Sequence, residues 1–256
     1  MSALVSLFYL YDPWFLHFIR MGLITGSIAL LFLSYKWWNK SQKSVVIPKD
    51  SLIACIALLI ISAIPLIING TKEIGVLSMY AKSLFVFILG IAIYNLFYQH
   101  ENGKPQLIRD LKMGIGVQAF IGFFALVGVP FIIDLATNTN SNMGGHFARF
   151  IGSEQEYRLY NLTSAAFFPL SVFYVLLLHF MLAYHARTQA LNPIWLFLLL
   201  CIGLIAGRLF LTFSLVSCLL YFRWRYLPAL LAFVALVLYL AYFHAENRYV
   251  EHALEP

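Results

Sequence analysis

Charge is scarce in this chain. Only 11% of its 256 residues are Asp, Glu, Lys or Arg, against 62% hydrophobic residues. A soluble domain of this size needs far more polar surface, so composition excludes one. Cysteine is nearly absent as well. Cys55, Cys201 and Cys218 all fall inside apolar runs, without metal-ligand spacing and away from any loop suited to a disulfide. They read as small packing residues. The chain has no Walker-type phosphate loop, no G-x-G-x-x-G, no H-E-x-x-H and no Cys/His cluster, so no metal or other cofactor is expected. No apolar run carries the paired carboxylates of a proton or cation pump. A basic leader region is missing and Asp12-Pro13 interrupts the first apolar stretch, so no cleavable signal peptide is read. Acidic residues are outnumbered 11 to 17, for a net charge of +6. In an apolar chain that excess reads as a topology signal and not as a nucleic-acid surface.

What the chain does have is a succession of apolar runs of membrane-crossing length. The expected fold class is all-α, a polytopic transmembrane helix bundle embedded in the lipid bilayer as a single integral domain over residues 1–256. Crossings are expected at about 14–38, 51–68, 74–98, 113–135, 162–184 and 227–243. A further stretch, 193–225, is organised differently. Its apolar part, 194–222, is too long for one crossing of roughly 20 residues and short for two. Cationic residues flank both ends: His185 and Arg187 before it, Arg223 and Arg225 after it. If cations favour the cytoplasmic side, the chain goes out and comes back, turning near Gly203, Gly207 and Arg208. That raises the count to about eight crossings, including a short hairpin around Arg208.

The hairpin also balances the charges. The candidate inner loops 36–50, 99–113, 185–193 and 223–226 hold 10 Lys and Arg, and the candidate outer segments hold 4. The remaining three, Arg20, Lys82 and Arg208, lie within apolar runs. This topology places both termini outside, and the polar stop at Glu255-Pro256 is expected to interrupt an external loop, leaving the chain truncated at its C-terminus. Glycine pairs such as Gly22 and Gly26, four residues apart, suit close helix approach. Gly114, Gly116, Gly122 and Gly128 thin the fourth crossing for packing.

Chemistry concentrates in two places. The external loop 136–160 begins with a flexible Thr/Asn/Ser run and then gathers His146, Arg149, Glu154, Glu156 and Arg158. Arg149 and Arg158 are candidates to grip a diphosphate, because guanidinium forks match phosphate oxygens. His146, Glu154 and Glu156 are the candidate general bases. The bland alternative pairs these arginines with the glutamates as a solvated, inert loop. The second place is Arg208, a lone cation at the centre of an apolar run, where a solvated-face explanation fails and function is the default. Lys82 is a weaker case of the same kind, since its long side chain can snorkel to the headgroups. His179 reads as a packed or interfacial histidine.

Two of these features resemble the O-antigen polymerase and ligase superfamily, the Wzy-type proteins of bacterial polysaccharide assembly. One is the external Arg-rich loop, Arg149-Phe-Ile-Gly152 and Arg158-Leu-Tyr-Asn-Leu-Thr163, leading into a helix. The other is the pair of short crossings joined around Ile205-Ala206-Gly207-Arg208, with a basic turn at 223–225. Members often carry Ser-Gly-Ser-Arg at that joint, and here Gly207-Arg208 matches without the serines. The resemblance covers about residues 145–245. It implies a multi-pass protein of the bacterial inner membrane that joins undecaprenyl-diphosphate-linked repeat units at the periplasmic face. It also implies that chain-length regulator and flippase proteins are partners, and that Arg208 with Arg149 or Arg158 binds the diphosphate. Two rival readings stand beside it: a transporter or flippase of lipid-linked oligosaccharides, and a non-catalytic membrane subunit.

Overall fold

A computed structural model describes residues 1–13, 16–40, 45–70, 74–137, 159, 161–163, 167–189, 191–243 and 250–251. The described residues are helical, with no strand among them beyond an isolated bridge between Pro13 and Thr163. The helices are α1 (Ser2–Tyr11), α2 (His17–Thr25), α3 (Ser27–Lys40), α4 (Lys49–Asn69), α5 (Gly75–Phe97), α6 (Gly103–Val127), α7 (Pro130–Thr137), α8 (Phe167–Ala186), α9 (Pro193–Leu204), α10 (Arg208–Leu220) and α11 (Leu227–Phe243). A 3-10 turn, Trp224–Tyr226, leads into α11.

Five spans are long and apolar enough to cross a membrane: α4, α5, α6, Pro169–Ala186 of α8, and Trp224–Phe243. A sixth is counted if α2 and α3, bent by 55° at Gly26, form one broken span. The protein is a multi-pass membrane protein. The sequence count of about eight is not reached among the described residues, because α9 and α10 have only 12 and 13 residues. At 1.5 Å per residue each is about 18–20 Å long, short of the ~30 Å hydrocarbon core.

Contacts divide the chain into two compact units, Met1–Tyr9 with Leu16–Leu107, and Leu10–Phe15 with Ile108–Pro256. In the first unit, α5 packs against α3 and α4. Ile24, Leu89, Ile93 and Tyr98 form a buried cluster, and the Tyr98 and Ser6 hydroxyls share a hydrogen bond of 2.5 Å. Asn95 is buried on α5, where it clamps the stretch before α4. It accepts from the Val46 amide at 2.8 Å and donates to the Val46 carbonyl at 2.9 Å. α4 buries no residue, and Ile60, Ile61, Ile67 and Ile68 are all exposed. A 21-residue apolar helix with no buried face requires lipid around it.

Several sequence boundaries shift. Lys104, Arg109 and Lys112, expected in a loop, lie on the first three turns of α6. Ile108, Leu111 and Ile115 are buried along one face there, while Lys104 and Arg109 are exposed. The segment is an amphipathic helix whose charges hide its 3.6-residue period from a hydropathy reading. The crossing expected at 113–135 breaks at Gly128, whose φ is 93°, and resumes at Pro130, a residue suited to a helix start. Gly22 faces open space and Gly26 meets only its own helix, so this pair marks a bend and not a helix contact.

The second unit holds the hairpin. Arg223 donates from Nη2 to the Ala186 carbonyl at 2.8 Å, and the Leu191 amide donates to the Tyr226 hydroxyl at 3.2 Å. The residues that enter the 193–225 stretch are thus bonded to those that leave it. The two ends of the stretch therefore lie side by side.

Candidate functional site

The turn between α9 and α10 is built by two glycines and one serine. α9 starts at Asn192, whose side chain accepts from the Ile194 amide at 3.0 Å, with Pro193 at its first position. It ends after Leu204, and the chain turns through Ile205, Ala206 and Gly207. Gly207 has φ 86° and ψ −165°, a conformation that disfavours any side chain. Gly203 packs directly under the Phe210 ring, where an added Cβ would overlap the ring carbons. Phe210 is fully buried and meets Tyr174 of α8 edge-on, with centroids 6.4 Å apart. Ser171 of α8 donates to the Ala206 carbonyl at 2.7 Å and so ties the turn to a spanning helix.

Arg208 is the first residue of α10. No side chain caps this helix, because the capping position is Gly207. The first amides of a helix have no carbonyl of their own helix to bond, and they carry the positive end of the helix dipole. Arg208 and the first amides of α10 thus fall together in one short stretch of an otherwise apolar run, and of those amides Phe210's bonds the Gly207 carbonyl at 3.1 Å. Such a helix start suits a phosphate group.

Next to it lies a part-open pocket of about 640 Å³ between α6, α9 and α11, with Leu159, Asn161 and Val250 also in its wall. Its walls are almost wholly apolar, including Phe123, Leu126, Phe197, Ile202 and Leu240. It reaches Ile205, in the turn itself. The chief polar feature of the wall is Asn161, which is 0% exposed and has a left-handed φ of 53°. Its Nδ2 donates to the Gln118 carbonyl at 3.3 Å, while the Gln118 Oε1 accepts from the Leu162 amide at 3.0 Å. Asn161 Oδ1 and Gln118 Nε2 are buried with no partner. Sequence reading passed over this pair. A lone glutamine among the apolar residues of α6 was the available signal.

His146, Arg149, Glu154, Glu156 and Arg158 lie outside the described residues. The chain that follows them is anchored, with Leu159, Asn161, Leu162 and Thr163 all buried. Lys82 is exposed on α5 in the first unit, and Arg208 belongs to the second. His179 is half-buried on α8 with both ring nitrogens engaged, Nδ1 with Ser217 Oγ at 3.4 Å and Nε2 with the Tyr221 hydroxyl at 3.3 Å. The three cysteines are free thiols. Among the described residues no three His, Cys, Asp or Glu side chains come together.

Comparisons with protein-family models, with curated proteins and with solved structures return no match.

Proposed function

We propose that the chain is an O-antigen or capsular polysaccharide polymerase-like glycosyltransferase of the bacterial inner membrane, acting on undecaprenyl-diphosphate-linked glycans at the periplasmic face. The observation that carries this reading is the junction at Ile205–Arg208. An uncapped helix start with Arg208 at its first position adjoins an apolar cavity of about 640 Å³. A phosphate site beside a hydrocarbon-lined cavity matches an amphiphile with an anionic head and an apolar tail.

In the reaction, an acceptor hydroxyl attacks the anomeric carbon of the donor glycan. The bond from that carbon to the diphosphate oxygen breaks, and the lipid diphosphate leaves with the electron pair. Negative charge grows on the leaving group, so donors already fixed in place at the α10 start would favour the transition state over the ground state. Arg208, with Arg149 or Arg158, would hold the diphosphate. The hydroxyl proton passes to a base, for which His146, Glu154 and Glu156 are the sequence candidates. Lys82 remains a further substrate-binding candidate. Chain-length regulator and flippase proteins would be its partners in the membrane.

The test is complementation of a strain lacking its own polymerase, scored as the ladder of surface polysaccharide, with membrane insertion checked by immunoblot. The chain and a C-terminally extended version are run in parallel, each with and without Arg208→Ala. A ladder abolished by Arg208→Ala at unchanged membrane level supports the reading. A ladder indifferent to Arg208 overturns the diphosphate assignment, and no ladder from any inserted version favours the transporter or the non-catalytic subunit.

A further inference from the structure

Asn161 and Gln118 each carry one hydrogen-bonding atom that the protein leaves unused, and their partners identify which atom it is. Asn161 Nδ2 faces the Gln118 carbonyl, which only accepts, so the amide cannot be turned over and Oδ1 is the free end. Gln118 Oε1 faces the Leu162 amide, which only donates, so Nε2 is the free end there. Both side chains are 0% exposed, and neither Oδ1 nor Nε2 has a partner. One spare acceptor and one spare donor thus lie on two buried side chains that are tied to each other's backbone. Leaving such groups dry is costly, so the place calls for a group that both donates and accepts. An anion only accepts and is repelled by Oδ1, and an ammonium or guanidinium only donates. A hydroxyl does both.

The pocket shows what carries that hydroxyl. Asn161 stands in its wall beside Gly122, where an added Cβ would lie 3.5 Å from Oδ1. Glycine therefore leaves the space next to the acceptor free of any side chain. None of the described wall residues is charged, which argues against an ionic head. Phe123, Leu126 and Val127 of α6 and Tyr239 of α11 line the pocket and are nevertheless exposed. Both helices belong to candidate spans, so this side of the pocket opens to hydrocarbon. The occupant therefore comes from the bilayer. A water molecule would gain the same bonds and leave the apolar wall unfilled.

We propose that the pocket between α6, α9 and α11 binds a neutral membrane lipid with a free hydroxyl, of the long-chain alcohol class. The hydroxyl donates to Asn161 Oδ1 and accepts from Gln118 Nε2, and the chain lies against Phe123, Phe197 and Ile202. The hydrocarbon tail of the proposed diphosphate donor would use the same pocket, so the alcohol would compete with it. The inference itself rests on the pocket and the two amides, and not on the diphosphate reading.

The experiment labels the purified full chain, in nanodiscs of phosphatidylcholine, with hexadecanol that carries a diazirine in its chain. Labelled peptides are read by mass spectrometry. Label that excess hexadecanol displaces is expected in α6, α9 and α11. The methyl ether of hexadecanol accepts but cannot donate, so it should compete about tenfold more weakly, and hexadecane no better. These competitors act on the unaltered chain, so no folding defect enters. Asn161→Leu should lower the displaceable label by a similar factor. Ala119→Phe, which adds a ring to the wall and leaves both amides in place, should lower it too. Equal competition by the alcohol, the ether and the alkane would overturn the hydroxyl assignment and leave a pocket for hydrocarbon alone. Hexadecyl phosphate competing as well as the alcohol would overturn the neutral head. Label that excess alcohol does not displace, or that spreads evenly over α4 as well, would overturn the site. Labelling is read without polysaccharide synthesis, so either reading can fail while the other stands.

Discussion

Gly203, Gly207 and Arg208 sit within six residues, and each answers to a different force. Gly207 is there for its backbone, because φ 86° disfavours any Cβ. Gly207→Ala should cost roughly 1–2 kcal/mol, read as a lower thermal midpoint of the purified chain in detergent. Gly203 has ordinary helical geometry and is there for space, since the Phe210 ring occupies the place of its side chain. Gly203→Val should cost about 1–3 kcal/mol by overpacking, and shortening the opposing ring with Phe210→Leu should restore part of the loss in the double variant. If the Gly203 and Phe210 effects simply add, the contact is not the cause. In the proposed function Arg208 is there for charge. Arg208→Lys should therefore keep more ladder than Arg208→Ala in the complementation assay, though less than the parent chain, because an ammonium lacks the two-pronged fork.

At the scale of the element, α4 and α9 are both apolar and respond to opposite rules. α4 buries no residue fully: one stripe, including Leu52, Cys55 and Leu59, is half-buried, and the rest, Ile60 among them, is exposed to a hydrocarbon solvent. Exchanging Ile60 for Leu should change stability by less than about 0.5 kcal/mol. α9 buries Leu196, Leu199, Leu200, Ile202, Gly203 and Leu204 among protein atoms. Leu196→Ala should cost about 2–5 kcal/mol, because a cavity forms that the fixed neighbours do not fill. Denaturant titration of the two variants in the same detergent would show the contrast. Equal losses would mean that α4 is covered by protein. Hydropathy alone cannot tell a lipid-facing helix from a buried one; the sequence set 193–225 apart by its length and flanking charge, and not by its burial. The same blindness explains α6, where Lys104, Arg109 and Lys112 lower the local hydropathy although Ile108, Leu111 and Ile115 keep a helical period.

At the scale of the whole chain, the sequence showed best what depends on single residues of strong character. Proline, glycine and the cations marked the ends of α4, α5, α9, α10 and α11 to within a few residues. The return of the chain between 193 and 225 followed from flanking charge, and the Arg223–Ala186 and Leu191–Tyr226 bonds show it. What depends on three-dimensional pairing was not legible: the Gln118–Asn161 couple, the cavity beside it and the bend at Gly26. The candidate site was legible only in part, since Arg208 and its turn stand in the structure while 146–158 lie outside the described residues. A labelling experiment checks the path of the chain. With Cys55, Cys201 and Cys218 replaced by alanine, single cysteines at Gln189 and at Arg225 should react with an impermeant maleimide from the same side of sealed vesicles. Reaction from opposite sides would reduce the stretch to one crossing.

The half-length arms of this hairpin also govern how the protein is made. Neither α9 nor α10, at 12 and 13 residues, is long enough to stop in a bilayer as it leaves the ribosome. Each arm leans on its neighbours, α10 chiefly on α8, where Tyr174 and Ser171 receive the turn, and α9 on α11, α8 and α10. The two arms are therefore expected to enter as a pair, after α8 is in place. In a ribosome-bound chain long enough to expose α9 but not α10, a single cysteine in α9 should react with an aqueous maleimide, and it should become protected once both arms have emerged.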